Sequence, residues 1–150
     1  MRTSVGVLAT VALGLAAGAV LTEAAVLVPW WRTLDAPAFF AWYAANTDRL
    51  FAFFGTLETT ALVLALAAAA LHRTRWFVGA AVLAVAVLVP FPLYFAKVNA
   101  AFAAGTIPAD RLADELARWA AWHGVRTTLA IGAFVAATAG CAAARRPPTS

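Results

Sequence analysis

The chain has 150 residues, of which 64% are hydrophobic and only 12% are charged, with a formal net charge of +4. A soluble domain carries roughly 25% charged residues, so this chain lacks the polar surface that water requires and is expected in lipid. No basic stripe with interleaved aromatic residues is present, which excludes a nucleic-acid partner, and the single Cys141 excludes an intrachain disulfide and a multi-cysteine metal site.

Four apolar runs of about 20 residues follow one another along the sequence. They cover residues 5–29, 50–71, 76–97 and 122–144. An α-helix rises ~1.5 Å per residue, so each run can cross a hydrocarbon core of ~30 Å. Alanine and leucine dominate and period-two alternation is absent, which argues against strands. The sequence therefore predicts one all-α integral membrane domain, a four-helix transmembrane bundle with up-down-up-down topology.

The first run has an alternative interpretation as a cleaved signal peptide, because Arg2 precedes it and small residues follow Glu23. The apolar core of a signal peptide is only ~7–15 residues long, whereas this run continues to Trp30 and Trp31. These two tryptophans, with Trp76, are typical of the aromatic belt at a membrane interface. We therefore expect the first run to be a transmembrane helix.

The two connections on the far side from the termini are more than plain loops. Residues 33–48 place four aromatic side chains between acidic ends. Residues 107–122 begin with a helix-start signal, in which Pro108 and Asp110 occupy the first turn. Apolar side chains then recur at helical spacing at Leu112, Leu116 and Trp119. This pattern predicts an extra amphipathic helix before the fourth span, lying at the interface or capping the bundle.

The basic residues favour an inner (cell) membrane protein with both termini in the cytoplasm. Five basic residues and no acidic ones lie on the side of the termini, at Arg2, Arg73, Arg75, Arg145 and Arg146. The opposite side also has five, balanced by acidic residues, so the positive-inside count ties. The orientation is inferred from the short acid-free segments beside the helix ends. Residues 145–150 are expected to form a short solvated tail.

Six polar side chains are predicted to meet at one level of the bundle. In an alternating bundle, the ends of the first and third helices share a side with the starts of the second and fourth. The residues at that level are Glu23, Glu58, Lys97, Asn99, His123 and Arg126. An ionised carboxylate in the membrane costs several kcal/mol unless it is paired, hydrated or protonated, so such residues indicate a functional site. The alternative is a purely structural role, in packing or in pairing with Arg126.

Helical spacing brings further residues to this level. Trp119, His123 and Arg126 lie at i, i+4 and i+7 on one helix face, with Trp122 four residues before Arg126. In the third run, two prolines remove backbone donors and bend the helix, at Pro90 and Pro92. The bend either opens a pocket bordered by Tyr94 and Asn99 or is only a packing kink. The expected substrate-binding residues are Asn99, Trp119, Tyr94 and Trp122.

These residue types support two kinds of chemistry. Glu23, Glu58 and His123 could act as acid–base groups, while Arg126 holds an anion or a developing oxyanion. The same Glu23, Glu58 and His123 are also the ligand types of non-haem iron, although the Glu-x-x-His pairs of di-iron bundles are absent. No cofactor is predicted, and a non-haem metal ion stays an alternative.

The order of these features resembles the small integral-membrane proteins grouped with fungal anthrone oxygenases. The shared features are four spans, an acidic residue in each of the first two, "KVNAAF" after the third, and "WAAWHGVRTTL" opening the fourth. Asn99, Trp119, His123 and Arg126 match the family's short motifs. The sequence "AKVN" departs from the family at a position where many members have a proline beside the asparagine.

The resemblance implies a membrane oxidoreductase, of the monooxygenase type, that converts an anthrone-like aromatic C–H to a quinone with molecular oxygen and no evident cofactor. It implies His123 or Glu58 as the base, and Arg126 with Asn99 as oxyanion stabilisers. Two alternatives stay open. One is a non-enzymatic transport or assembly protein whose polar cluster is structural, and the other is a metal-dependent enzyme. Homo-oligomer formation also stays open.

Overall fold

A computed structural model of the protein describes residues 2–144, which form four long helices joined by short turns. They are α1 (Arg2–Trp31), α2 (Ala36–His72), α3 (Arg75–Ala103) and α4 (Ala109–Ala144). Each helix is long and apolar enough to cross a membrane, and residues 2–144 contain no strand. The predicted all-α bundle is confirmed, and its helices are those of an integral, multi-pass membrane protein. The expected tail, with Arg145 and Arg146, lies outside the described residues.

Turn chemistry in the sequence sets where the helices begin and end. The side chain of Asp35 caps α2 by accepting a hydrogen bond from the backbone N–H of Ala38 at 2.9 Å. Thr74 caps α3 in the same way. Between these two helices, Arg73 adopts a left-handed conformation with φ of 54°, which ends α2. Because the resulting link is so short, α2 and α3 are antiparallel neighbours.

Helices α2 and α4 extend well beyond the apolar runs. Most of residues 33–48, predicted as a connection, belongs to α2, and the predicted amphipathic helix is the first part of α4 rather than a separate element. Helices of 37 and 36 residues are ~55 Å long at ~1.5 Å per residue, which exceeds a hydrocarbon core of ~30 Å. Their outer parts therefore project beyond the apolar runs, on the side away from the termini.

The projecting helix parts enclose an aromatic core. Its largest members are Trp31, Phe39, Tyr43, Phe95, Phe102 and Trp119. Trp31 is fully buried and contacts Trp119 edge-to-face, with ring centroids 5.4 Å apart. The belt interpretation of Trp31 is therefore wrong, because the projecting helices surround it with protein. Trp30 and Trp76 are 39% and 38% exposed, which suits an interfacial belt.

The half of the bundle nearest the termini packs through small side chains. Alanines from all four helices form most of its core, including Ala9, Ala16, Ala65, Ala80 and Ala133. Small side chains let helix backbones approach closely, which is how helices associate when lipid removes the hydrophobic driving force. Among the described residues, the predicted polar cluster lies in the other half of the bundle, the outer one.

Gly14 and Gly18 offer a matched test of this packing. A Cβ added to Gly14 would lie 2.9 Å from the ring of Phe134 on α4, whereas a Cβ on Gly18 meets nothing within 4 Å. We expect Gly14→Leu to lower the free energy of unfolding by about 1–3 kcal/mol, the usual cost of overpacking. Gly18→Leu meets no neighbour and removes the helix penalty of glycine, so it should leave the free energy of unfolding unchanged or raise it by up to about 1 kcal/mol. Unfolding titrations with SDS in mixed micelles measure both, and equal losses would contradict a tight α1–α4 contact.

Candidate functional site

Four ionisable side chains from three helices meet in the outer half of the bundle. Glu23 comes from α1, Glu58 from α2, and His123 and Arg126 from α4. Each has at most 7% of its surface exposed. Buried charged groups are uncommon unless they are paired, and these four are arranged as two linked pairs. The side chains therefore converge as the alternating helix directions predict, whereas Lys97 is exposed and stays apart.

The first pair joins α4 to α2. Arg126 donates a hydrogen bond from Nη2 to Oε1 of Glu58. Its guanidinium also lies over the ring of Phe95, 5.4 Å from the ring centroid. The Nε of Arg126 is buried and has no hydrogen-bond partner among residues 2–144. Because a guanidinium carries five N–H donors and Glu58 uses one, Arg126 can bind a further acceptor.

The second pair joins α4 to α1 through His123. Its Nε2 lies 2.9 Å from the carbonyl oxygen of Val20 and 3.6 Å from Oε2 of Glu23. A backbone carbonyl only accepts hydrogen bonds, so Nε2 carries the hydrogen and donates it. The imidazole also stacks on Trp119, with centroids 4.8 Å apart and planes 17° apart. These contacts fix the ring in place beside the Glu23 carboxyl.

Two helices, α1 and α3, contain a π-helical segment near these ionisable side chains. Glu23 begins a five-residue π-helical segment, Glu23–Leu27, within α1. A π turn shifts the helix register by one residue and is frequent at functional sites. A second π segment, Phe91–Phe95, lies in α3 and contains Pro92, which has no N–H to donate. Pro90 and Pro92, which the sequence analysis expects to bend the helix, lie at and within this irregular segment.

A cleft of about 830 Å³ opens beside the ionisable residues, between α2 and α3. Its polar wall includes Glu23, Glu58, Asn99, Trp119 and Arg126. Asn99 accepts a hydrogen bond through Oδ1 from Nε1 of Trp119 at 2.9 Å, which leaves the amide N–H groups of Asn99 available as donors. The facing sides of α2 and α3 supply the apolar lining, at Phe51, Phe54, Leu62, Val85, Leu88 and Val89.

Three of the predicted site residues do not line this cleft. His123 is 1% exposed and stacks on Trp119, so the geometry favours the carboxylates over His123 as groups that reach a ligand. Tyr94 and Trp122, predicted to bind substrate, stack on each other at 5.8 Å between ring centroids. The Tyr94 hydroxyl donates a hydrogen bond to Oε1 of Glu115 at 2.6 Å. These contacts hold both rings outside the cleft, and the substrate-binding role of Tyr94 and Trp122 stays a prediction.

Two of the three residues proposed as metal ligands use one of their side-chain polar atoms in a hydrogen bond within the protein. Within residues 2–144, no group of three His, Cys, Asp or Glu side chains is arranged to hold a metal ion. One oxygen of Glu58 is bonded to Arg126, and Nε2 of His123 is bonded to the Val20 carbonyl. The metal-dependent alternative stays a prediction, tested by metal analysis of the purified protein.

The sequence analysis missed the contribution of the first half of α2. Tyr43, Thr47, Asp48 and Gly55 all line the cleft. A signal for this helix was present, because Asp35 followed by a proline at the second helical position is a typical helix start. The charged residues near Asp48 ended the apolar run and hid the continuous helix.

Comparisons with protein families, with curated proteins and with solved structures find no match to this chain. The resemblance to the anthrone-oxygenase family therefore stays a prediction. Function has to be argued from the site itself, because the bundle fold supports many activities.

Proposed function

We propose that the protein is a membrane-embedded oxidoreductase that oxidises a small apolar, aromatic substrate with molecular oxygen. The observation that carries this proposal is the composition of the cleft wall. The carboxyl groups of Glu23 and Glu58 line an apolar cleft together with the donor groups of Arg126 and Asn99. Proton abstraction beside a carbonyl needs this combination, in which a base removes the proton and fixed donors stabilise the oxyanion that forms.

Glu23 is the better placed of the two carboxyl groups to act as the base. One oxygen of Glu58 already accepts a hydrogen bond from Arg126. Glu23 has no hydrogen bond to its carboxyl from the described residues, and Nε2 of His123 lies 3.6 Å from its Oε2. His123 then serves as a positioning residue, since its donor hydrogen is fixed between Val20 and Glu23.

The proposed reaction oxidises an activated methylene group to a carbonyl. Glu23 takes one proton, and the electron pair moves through the conjugated ring onto the carbonyl oxygen, which Arg126 and Asn99 stabilise as an enolate. Dioxygen accepts the electron pair at the methylene carbon, forms a new C–O bond and takes the proton back from Glu23, which gives a hydroperoxide. Loss of water from the resulting hydroperoxide leaves the second carbonyl. Each methylene thus consumes one dioxygen molecule and releases one water molecule.

The same proposal includes the location of the protein. We place it in the inner cell membrane with both termini in the cytoplasm, so that the cleft lies in the outer half. Arg2, Arg73 and Arg75 mark the cytoplasmic end, and Arg75 covers the ring of Trp76 at 5.0 Å from its centroid. Basic residues at helix ends favour the cytoplasmic side of the membrane.

Oxygen uptake with 9-anthrone tests the proposed activity. We expect the purified protein in lipid nanodiscs to consume about one dioxygen molecule per anthrone, well above the rate in empty nanodiscs. A chelator should leave the rate unchanged, and metal analysis should find no stoichiometric metal. Uptake equal to that of empty nanodiscs would reject the enzyme in favour of a transport or assembly protein. Uptake that depends on a bound metal would favour the metal-dependent alternative.

A further inference from the structure

The cleft is elongated along the bundle. Its lining on α2 runs from Tyr43 to Leu62, a rise of ~28 Å at ~1.5 Å per residue. Polar side chains, Thr47 and Asp48, line its outer end, and Leu62 and Val85 line its inner end. A cleft of about 830 Å³ is at the upper end of the size range of small-molecule sites. It is therefore long enough for a tricyclic ring system or a chain.

The side of the cleft is open to the surroundings of the bundle. Among its apolar lining residues, Phe51 is 65% exposed, Val85 is 45% exposed and Val89 is 47% exposed. Leu62 and Val85 each lie ten residues from the inner ends of their helices, which is ~15 Å above those ends. That height lies within a hydrocarbon layer of ~30 Å. The inner part of the opening consequently faces acyl chains rather than water.

The polar wall at the back of the cleft favours a hydrogen-bond acceptor. Arg126 has donors beyond the one used by Glu58, and its Nε is buried without a partner in the described chain. Asn99 presents its amide donors because its oxygen is occupied by Trp119. A carbonyl or phenolic oxygen satisfies both residues, whereas a pure hydrocarbon leaves them unpaired at a cost in affinity.

We propose that the ligand is a membrane-dissolved amphiphile that enters sideways between α2 and α3, from the leaflet opposite the termini. Its flat or chain-like apolar body lies against Phe51, Phe54 and Val85, and its carbonyl or phenolic oxygen reaches Arg126 and Asn99. This inference deepens the proposed function and uses the same site. It concerns where the ligand comes from and what class it belongs to, and it does not require oxidation.

Two glycines provide a matched pair for testing the cleft. A Cβ on Gly55 or on Gly79 meets nothing within 4 Å, both glycines are half-buried, and both lie inside helices. Only Gly55 lines the cleft. Replacing either glycine removes the helix penalty of glycine, so both variants should fold. Gly55→Phe places a ring in the cleft, and Gly79→Phe places one outside it.

The ligand probe is 1,8-dihydroxyanthraquinone, titrated by absorbance into protein nanodiscs with empty nanodiscs subtracted. We expect saturable binding, weakened at least about tenfold by Gly55→Phe and changed less than about twofold by Gly79→Phe. Anthracene, which has the ring body without oxygens, should bind at least about tenfold more weakly than the quinone. Equal effects of the two glycine variants would overturn the cleft as the binding site. Equal affinities for the two probes would overturn the acceptor class.

A spin label tests the lipid-facing opening directly. The chain has one cysteine, and Cys141→Ser replaces its thiol by a hydroxyl that can still bond to Thr10, so Val85→Cys can be labelled alone. Dissolved oxygen should relax the spin label strongly, and a water-soluble nickel chelate should hardly relax it. Bound quinone should reduce the contact between the spin label and oxygen. Strong relaxation by the nickel chelate would overturn the lateral route.

These readouts separate the inference from the proposed oxidation. Quinone binding that is sensitive to Gly55→Phe, without oxygen uptake, supports the lateral cleft and rejects the oxidase. Oxygen uptake that is unchanged in Gly55→Phe supports the oxidase and rejects the lateral cleft.

Discussion

Arg126→Met is expected to lower the free energy of unfolding by about 3–5 kcal/mol, the range for removing one partner of a buried ion pair. Arg126 and Glu58 are 7% and 6% exposed, and their hydrogen bond is the polar link between α4 and α2. Without the guanidinium, Glu58 stays in an apolar surrounding with no opposite charge on its oxygen. SDS titration of the purified protein, followed by tryptophan fluorescence, measures the loss.

An exposed pair on the same helix is the control. Arg118 and Glu115 lie 3.4 Å apart, but the Arg118 side chain is 64% exposed, so water screens the attraction. Arg118→Met should therefore cost no more than about 1 kcal/mol. If Arg126→Met costs as little as Arg118→Met, the buried pair does not stabilise the bundle and its assignment here is wrong.

The double variant Arg126→Met/Glu58→Met separates a structural role from a functional one. Removing both charges avoids the desolvation of each, and two apolar side chains of similar volume can replace a buried pair without loss. We expect the free energy of unfolding to recover most of the way, while anthrone-dependent oxygen uptake is lost. Recovery of both stability and uptake would mean that the pair only holds the helices together.

The convergence of the polar residues could be predicted because the membrane penalises every other placement. A carboxyl group at the depth of Glu23 or Glu58 cannot face acyl chains without a cost of several kcal/mol, so each must turn toward the protein. Four spans of alternating direction then bring these groups to the same half of the bundle as His123 and Arg126. Depth and topology both follow from the spacing of residues along the chain.

The rotation of each helix about its own axis could not be predicted in the same way. In a membrane helix, lipid-facing and protein-facing sides are both apolar, so hydrophobic periodicity carries little information about which side packs. Asn99 and Tyr94 are five residues apart on α3, yet Asn99 lines the cleft and Tyr94 bonds to Glu115. Their different positions depend on packing that the spacing alone does not specify.

Hydropathy also could not predict the lengths of the helices or the positions of their irregular segments. Apolar runs end at charged residues such as Asp48 and Arg118, but helical hydrogen bonding continues through them in α2 and α4. The π segment Glu23–Leu27 depends on tertiary contacts, since the carbonyl of Val20 just before it accepts a hydrogen bond from His123. A bond between residues so far apart in sequence leaves no local signal.

Glu23→Gln is expected to reduce anthrone-dependent oxygen uptake by a factor of about 10²–10⁴, the usual contribution of a general base. Glutamine keeps the shape of the side chain but cannot accept the proton. Because no hydrogen bond to the Glu23 carboxyl comes from the described residues, the change in free energy of unfolding should stay below about 1 kcal/mol. Binding of 1,8-dihydroxyanthraquinone should change less than about twofold.

Glu115→Gln is the control, because Glu115 is another glutamate of the outer half, accepts a hydrogen bond from Tyr94 and does not line the cleft. Its oxygen uptake should stay within about twofold of the natural chain. Both variants lose one carboxyl group. The comparison therefore separates the loss of proton transfer from the general effect of removing a carboxyl group. Full uptake in Glu23→Gln with loss in Glu58→Gln would move the base to Glu58. The free oxygen of the Arg126-bound carboxylate would then have to face the substrate.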